Sequence, residues 1–261
     1  MSLNPGISKI DWPERARVAI VAAMNKLQAL IFDVDGTLAE TERDGHRPAF
    51  NAAFRDCGLT WHWDEQRYGE LLAITGGKER IRHYAAQHAP DIAARPDFDA
   101  LVGQLHKIKT AHYLRRVDQG QLPLRPGVAQ LISEARQAGI RLAIATTTTP
   151  ENVDALLRAN LGPDAPAWFE VIGAGDIVPA KKPAPDIYQW VLNRLALPAT
   201  ACLAIEDSEM GLKSALSAGL RCVVTISEYT RGQNFRGAWR VIEGLAGCSL
   251  GELEACLVSD G

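Results

Sequence analysis

No two cysteines of this chain form a Cys-x-x-Cys pair. The five present, Cys57, Cys202, Cys222, Cys248 and Cys256, are scattered and odd in number. That excludes a disulfide framework or a cysteine zinc site and predicts reduced, packed thiols in a cytoplasmic protein. No histidine opens a His-Glu-x-x-His motif, which removes the histidine-zinc hydrolases. No uninterrupted apolar stretch approaches the ~20 residues that cross a bilayer. Residues 18–24 are apolar but short, and Asp11 and Glu14 precede them, which speaks against a secretory leader. Neither sign of charge dominates: a formal net charge of −3 over 261 residues gives no electrostatic case for nucleic acid or an anionic membrane. The dinucleotide fingerprint is also incomplete, because Val178 stands where Gly173-Ala174-Gly175 would require a third glycine.

What remains is an ordinary globular composition, 47% hydrophobic and 23% charged, enough for a sizeable core. Apolar, β-rich runs at 29–34, 141–146, 168–172, 201–205 and 221–226 alternate with helical patterns at 128–138, 151–159, 186–195 and 210–218. Such alternation predicts an α/β fold: a doubly wound, Rossmann-like parallel sheet with helices on both faces. Residues 41–120 break the rhythm with helical stretches at 49–56, 64–73, 79–87 and 98–116 and no convincing strand. The expected organisation is therefore an N-terminal extension over 1–23, an α/β core over 24–40 and 121–250, and a helical cap over 41–120 inserted after the first strand. The chain returns to the core through the Pro/Gly-rich turn Leu122-Pro-Leu-Arg-Pro-Gly127, and the tail after Gly247 is expected to be peripheral.

Chemistry-bearing residues fall at the ends of the predicted strands, the edge at which open parallel sheets bind ligands. Asp33 and Asp35 close the first run, with Gly36 to let the backbone turn tightly and Thr37 to offer a hydroxyl and amide to a bound phosphate. Two acids so close repel unless a proton or cation holds them, and a hard divalent ion with oxygen ligands suits that place. One carboxylate can attack phosphorus while its neighbour manages protons. Thr146 to Thr149 end the second run, with Thr149 as the expected N-cap of a helix opened by Pro150, a geometry suited to phosphate. Lys182 lies in a loop stiffened by Pro183 and Pro185, and Glu206-Asp207-Ser208 end a further strand. Singly, these stretches also read as turns, caps or solvated lysines; together and in this order they point to metal-assisted phosphoryl transfer.

The set Asp-Val-Asp-Gly-Thr at 33–37, Thr146, Lys182 and Glu-Asp-Ser at 206–208 resembles the signature of the haloacid dehalogenase superfamily, over about residues 27–226. The resemblance implies Asp33 as nucleophile and Asp35 as general acid and base. Thr146, with Thr147 beside it, and Lys182 would bind phosphate, and Mg²⁺ would be the cofactor. The metal would take a carboxylate oxygen of Asp33, the backbone carbonyl of Asp35 and the side chain of Asp207, with Glu206 supporting. The inserted helices resemble the cap of the β-phosphoglucomutase-like branch. Gly45-His46-Arg47-Pro48-Ala49-Phe50-Asn51 and Gly76-Gly77-Lys78-Glu79-Arg80-Ile81 are most similar to CbbY-type sugar-phosphate phosphatases. That likeness implies xylulose-1,5-bisphosphate, an inhibitor of Rubisco, as substrate. Lys109-Thr-Ala-His-Tyr113 is similar to the mutases' Lys-x-x-x-Tyr. The stretch from Asp33 to His46 is one residue longer than in the mutases, so Glu40 and Thr41 are not carried over.

A second phosphate on the substrate would account for the cations of the cap. Arg43, His46, Arg47, Lys78, Arg80 and Lys109 are candidates, Arg80 foremost because a guanidinium grips phosphate bidentately; several of these are expected to be ordinary surface charges. The alternative reading is a phosphomutase of the β-phosphoglucomutase type using the same residues. Asp35 argues against dehalogenation, and the intact set of strand-end residues argues against a silent regulator. The partner expected is a small sugar phosphate, with no nucleic acid, no membrane and a monomeric chain.

Overall fold

The computed structural model describes residues 26–258, with side chains to residue 255. The expected extension over 1–23 lies outside the described residues. A six-stranded, wholly parallel sheet forms the centre: β1 (Ala29–Phe32), β2 (Arg141–Ala145), β3 (Phe169–Gly173), β4 (Cys202–Glu206), β5 (Arg221–Thr225) and β6 (Arg240–Ile242), in the order β3-β2-β1-β4-β5-β6. β1 lies between β2 and β4, pairing Phe32 with Ile144 and with Ile205. The residues just after these strands are thereby brought side by side.

Alternation along each strand feeds two cores. Leu30, Phe32, Leu142, Ile144, Leu203 and Ile205 face one side, where α6 (Val128–Gln137) and α7 (Pro150–Leu161) pack. Ala29, Ile31, Ala143, Ala145, Cys202 and Ala204 face the other, against α8 (Asp186–Leu195) and α9 (Glu209–Ser217). The smaller side chains on this second face suit close helix packing. α8 takes the bounds its periodicity predicts.

After β1 come only helical elements: a π-helical turn (Glu42–His46), α1 (Arg47–Asp56), α2 (Glu65–Leu71), α3 (Gly77–His88), the short α4 (Pro90–Ala93) and α5 (Phe98–Asp118). A π turn holds one more residue than an α turn, so it can absorb a single added residue without rotating the helix beyond it. These helices have their own core of Phe50, Phe54, Trp63, Tyr68, Leu71, Ile81, Val102 and Leu105. Asn51 fastens the α1–α2 connection, donating to the Trp63 carbonyl and accepting from its amide, each at 2.8 Å.

One element was not anticipated and one expectation needs correction. β6 escapes a hydropathy reading because it is three residues long, at the sheet's edge and largely exposed. The tail is not peripheral: α10 (Leu250–Val258) buries Leu250 and Leu253 in the first core, and the Leu250 amide donates to Glu134 at 2.9 Å. No helix among the described residues is long and apolar enough to cross a membrane.

Candidate active site

Asp33 leaves the end of β1 almost fully buried, its amide bonded to the Ile205 carbonyl at 2.9 Å. Glu206 and Asp207 arrive from the neighbouring β4, and one oxygen from each of the three carboxylates lies within 4.8 Å of the others. Lys182, also buried, donates to Asp33 Oδ1 at 2.6 Å, to Glu206 Oε1 at 2.5 Å and to the Ala145 carbonyl at 2.9 Å. Tyr188 donates to the same Glu206 oxygen at 2.6 Å. Glu206 fits only because position 211 is glycine: a Cβ there would stand 1.9 Å from Glu206 Oε2.

One ammonium for three buried acids leaves uncompensated negative charge. Burial foremost, with help from Glu206 and Asp35, pushes the Asp33 carboxyl up to about 8 against the opposing pull of Lys182. Burial, then Asp33 and Glu206, also raises Asp207 well above its ordinary range. Burial works against the Lys182 ammonium, but Asp33 and Glu206 outweigh it and hold that group above its usual value. Clustered hard oxygen donors with excess negative charge are the donor set of a hard divalent cation. Asp33, Asp207 and Glu206 fit that role.

Asp35 is turned away from this cluster. Its Oδ1 accepts from Thr41 Oγ1 at 2.5 Å and lies 2.9 Å from His46 Nε2. Burial alone would raise Asp35, but the charge of His46, hydrogen bonds from His46 and Thr41, and the charge of Lys109 hold it down at about 2. His46 stacks on Tyr113 with ring centroids 4.4 Å apart. The π turn is capped by Thr41 and ends on His46, and it leaves both in contact with the same carboxylate oxygen.

A cavity of about 340 Å³ opens above these residues, bounded below by Asp33, Asp35, Lys182 and Asp207 and above by Thr75, Gly76 and Arg80. A smaller one beside it, of about 40 Å³, is lined by His46, His106, Lys109 and Thr147 to Thr149 among others. Lys109 is buried over the rings of Phe50 and Tyr113, at 5.0 and 5.6 Å from their centroids. Burial draws its ammonium down to about 8, against the carboxylates of Glu42 and Asp35.

The other expected residues divide. Thr147 lines both cavities. Thr146 lines neither, and its hydroxyl accepts from the Thr148 amide at 3.3 Å. Thr149 occupies the N-cap position of α7 without a side-chain capping bond. Thr37 is fully buried, its hydroxyl unpartnered. Gly36 has φ +86°, and a Cβ on it would stand 2.1 Å from Asp207 Oδ2. Arg80 lines both cavities, yet it donates to the Leu71 and Ile74 carbonyls and to the Tyr68 hydroxyl, so it is built into the wall. Tyr68 in turn donates to Glu42.

Arg47 pairs with Glu65, and neither Arg47 nor Lys78 lines either cavity. Lys78 reaches Asp176 at 3.0 Å, while Lys181 bridges Asp176 and Glu79 at 2.9 Å each. This quartet joins the first turn of α3 to the loops following β3. On another side of the cleft, the Tyr229 ring lies against α2, 3.2 Å from where a Cβ on Gly69 would be. Sequence reasoning passed over Ser227, whose hydroxyl donates to Asp207 Oδ2 at 2.6 Å. The signal was available: Ser227 stands two residues past the end of β5, at the same edge of the sheet as Asp33.

The fold and site define a Rossmann-like hydrolase core carrying a buried acid cluster at the sheet's C-terminal edge. The profile of the haloacid dehalogenase-like hydrolases matches residues 27–219, and the chain belongs to that family as a phosphoric monoester hydrolase. It is similar to protein CbbY of Rhodobacter capsulatus, 54% identical over 83% of this chain and 93% of that one. A crystal structure of mutant CbbY from Rhodobacter sphaeroides with xylulose-(1,5)bisphosphate superposes with a TM-score of 0.81 at 46% identity, covering 87% of this chain and 99% of that one. A β-phosphoglucomutase of Clostridium difficile shares the fold, with a TM-score of 0.72 at 17% identity, over 89% of this chain and 97% of that one.

Proposed function

We propose that this chain is a Mg²⁺-dependent phosphatase of a small sugar phosphate, with xylulose-1,5-bisphosphate as substrate and residues 41–120 acting as a cap over a core formed by 24–40 and 121–250. The observation that carries the reading is the convergence of Asp33, Glu206 and Asp207 within 4.8 Å beneath a cavity. The substrate rests on the bisphosphate bound by the Rhodobacter sphaeroides relative and on the cations around the smaller cavity.

Asp33 attacks phosphorus, forming an aspartyl phosphate as the sugar oxygen leaves. Lys182 holds Asp33 in place and faces the negative charge of the transferring group. Bound at Asp33, Asp207 and Glu206, Mg²⁺ would neutralise the carboxylates and the phosphoryl oxygens. Asp35 gives a proton to the leaving oxygen and then takes one from the water that attacks phosphorus, breaking the Asp33–phosphoryl bond and releasing inorganic phosphate with the Asp33 carboxylate restored. In the free protein His46, Thr41 and Lys109 bias Asp35 to its charged form, ready to accept a proton. A phosphate dianion beside it opposes that bias, so substrate arrival favours the protonated form the first step requires.

The test is phosphate release from a panel of sugar mono- and bisphosphates, with EDTA and with Mg²⁺ restored. Strong preference for the ketopentose bisphosphate, abolished by EDTA and regained with Mg²⁺, is the expected result. Broad activity on monophosphates overturns the substrate. A reaction that returns phosphate to the sugar, with none released, overturns hydrolysis.

A further inference from the structure

Arg125 lies in the turn by which the chain re-enters the core, far in sequence from every strand-end acid. Its amide donates to the Leu38 carbonyl at 2.8 Å, and Leu124 forms a bridge with Ala39, so the turn is sewn to the segment following Asp33 and Asp35. The side chain is 9% exposed. Its Nη1 donates to the carbonyls of Gly36 and, at 3.2 Å, Thr225. Its Nη2 donates to those of Ile226 at 2.5 Å and Glu243 at 3.3 Å, and Nε lies 3.2 Å from Glu40. A guanidinium has five N–H groups; here its two Nη atoms donate to four backbone carbonyls, and Glu40 balances its charge.

The two inner acceptors matter most. Asp207 Oδ2 is held between Gly36, where a Cβ would stand 2.1 Å away, and Ser227, whose hydroxyl donates to it at 2.6 Å. Ser227 is braced by Thr230, whose Oγ1 accepts from the Ser227 amide at 2.9 Å. Arg125 therefore grips both jaws from behind: Gly36 by its own carbonyl, Ser227 by the peptide that precedes it. Its side chain lines neither cavity.

We propose that Arg125 is a positioning residue that sets the Asp207 carboxylate for the metal, acting through Gly36 and Ser227. The inference rests on the reading of Asp207 as a metal ligand. Partners behind a ligand carry a large share of affinity, about 10- to 100-fold when removed. Lysine cannot substitute fully, since three N–H groups radiating from one atom cannot reach all four carbonyls that the wider guanidinium fork serves.

The test is calorimetric titration of the full chain with MnCl₂ at low temperature, without substrate, for wild type, Arg125→Met, Arg125→Lys and Ser227→Ala. Far-UV circular dichroism and metal-free melting verify the fold. The expected result is about 10- to 100-fold weaker binding for Arg125→Met, with intermediate losses for Arg125→Lys and Ser227→Ala. Combining Arg125→Lys with Ser227→Ala should cost less than the product of the single losses, because both act along one route. If Arg125→Met does not fold, the lysine and alanine variants decide. Folded Arg125 variants within twofold of wild-type affinity, even with lowered melting temperatures, overturn the proposal. A wild-type chain that takes up no Mn²⁺ instead overturns the reading of the acid cluster, and the proposal with it.

Discussion

Replacing Asp176 with asparagine removes the shared anion from the quartet that joins α3 to the loop after β3. Asp176 accepts both Lys78, at 3.0 Å, and Lys181, at 2.9 Å, leaving only the Lys181–Glu79 pair. The Asp176 side chain is 60% exposed, so each lost pair is worth about 0.2–1 kcal/mol, well below its unscreened Coulomb energy. Two pairs give about 0.4–2 kcal/mol, a roughly 2- to 30-fold shift toward states in which α3 parts from that loop. Hydrogen exchange reads such a shift directly, because cleft amides exchange in proportion to the open population. In low salt, amides of Thr75 to Gly77 and Thr147 to Thr149 in Asp176→Asn should exchange faster than wild type by that factor. The difference should fade near 1 M salt, where the Debye length is about 3 Å. Equal exchange in low salt would show that these ion pairs do not hold α3 in place, leaving packing such as that of Tyr229 on α2 to close the cleft.

Asp33→Asn should abolish turnover and any phosphoprotein seen by intact mass, with an unchanged circular dichroism spectrum; substantial residual activity removes Asp33 as nucleophile. In EDTA, stability should fall as pH rises from about 4 to about 8. Over that window the folded state keeps a proton on Asp33, raised from 3.8 to about 8, that the unfolded chain has lost. Mg²⁺ should accordingly raise the melting temperature more at pH 8 than at pH 5. Gly36→Ala should weaken Mn²⁺ binding in calorimetry and destabilise the fold by about 1–2 kcal/mol from the left-handed backbone alone, since φ there is +86°.

Most of the sheet was legible because its strands, buried on both faces, read as short apolar runs closed by turn residues. β6 was not, since it is short and largely exposed at the edge. The acids were legible for a related reason: a strand's end is visible in sequence, and the parallel order then gathers such ends. The cations of the cap were not, because residue type says nothing of aim. Lys109 and Arg47 are both basic, yet one is buried beside the cavity and the other is spent on Glu65. Arg125 was hidden more deeply, because its acceptors are chiefly backbone carbonyls, which carry no mark of residue identity.

The widened turn at Glu42–His46 has a consequence for how relatives of this chain are compared. The loose coil leaves Thr41 and His46 on the same oxygen of Asp35. Where a relative gains or loses a residue inside such a coil, correspondence is found by what each side chain touches and not by counting forward from the first acid.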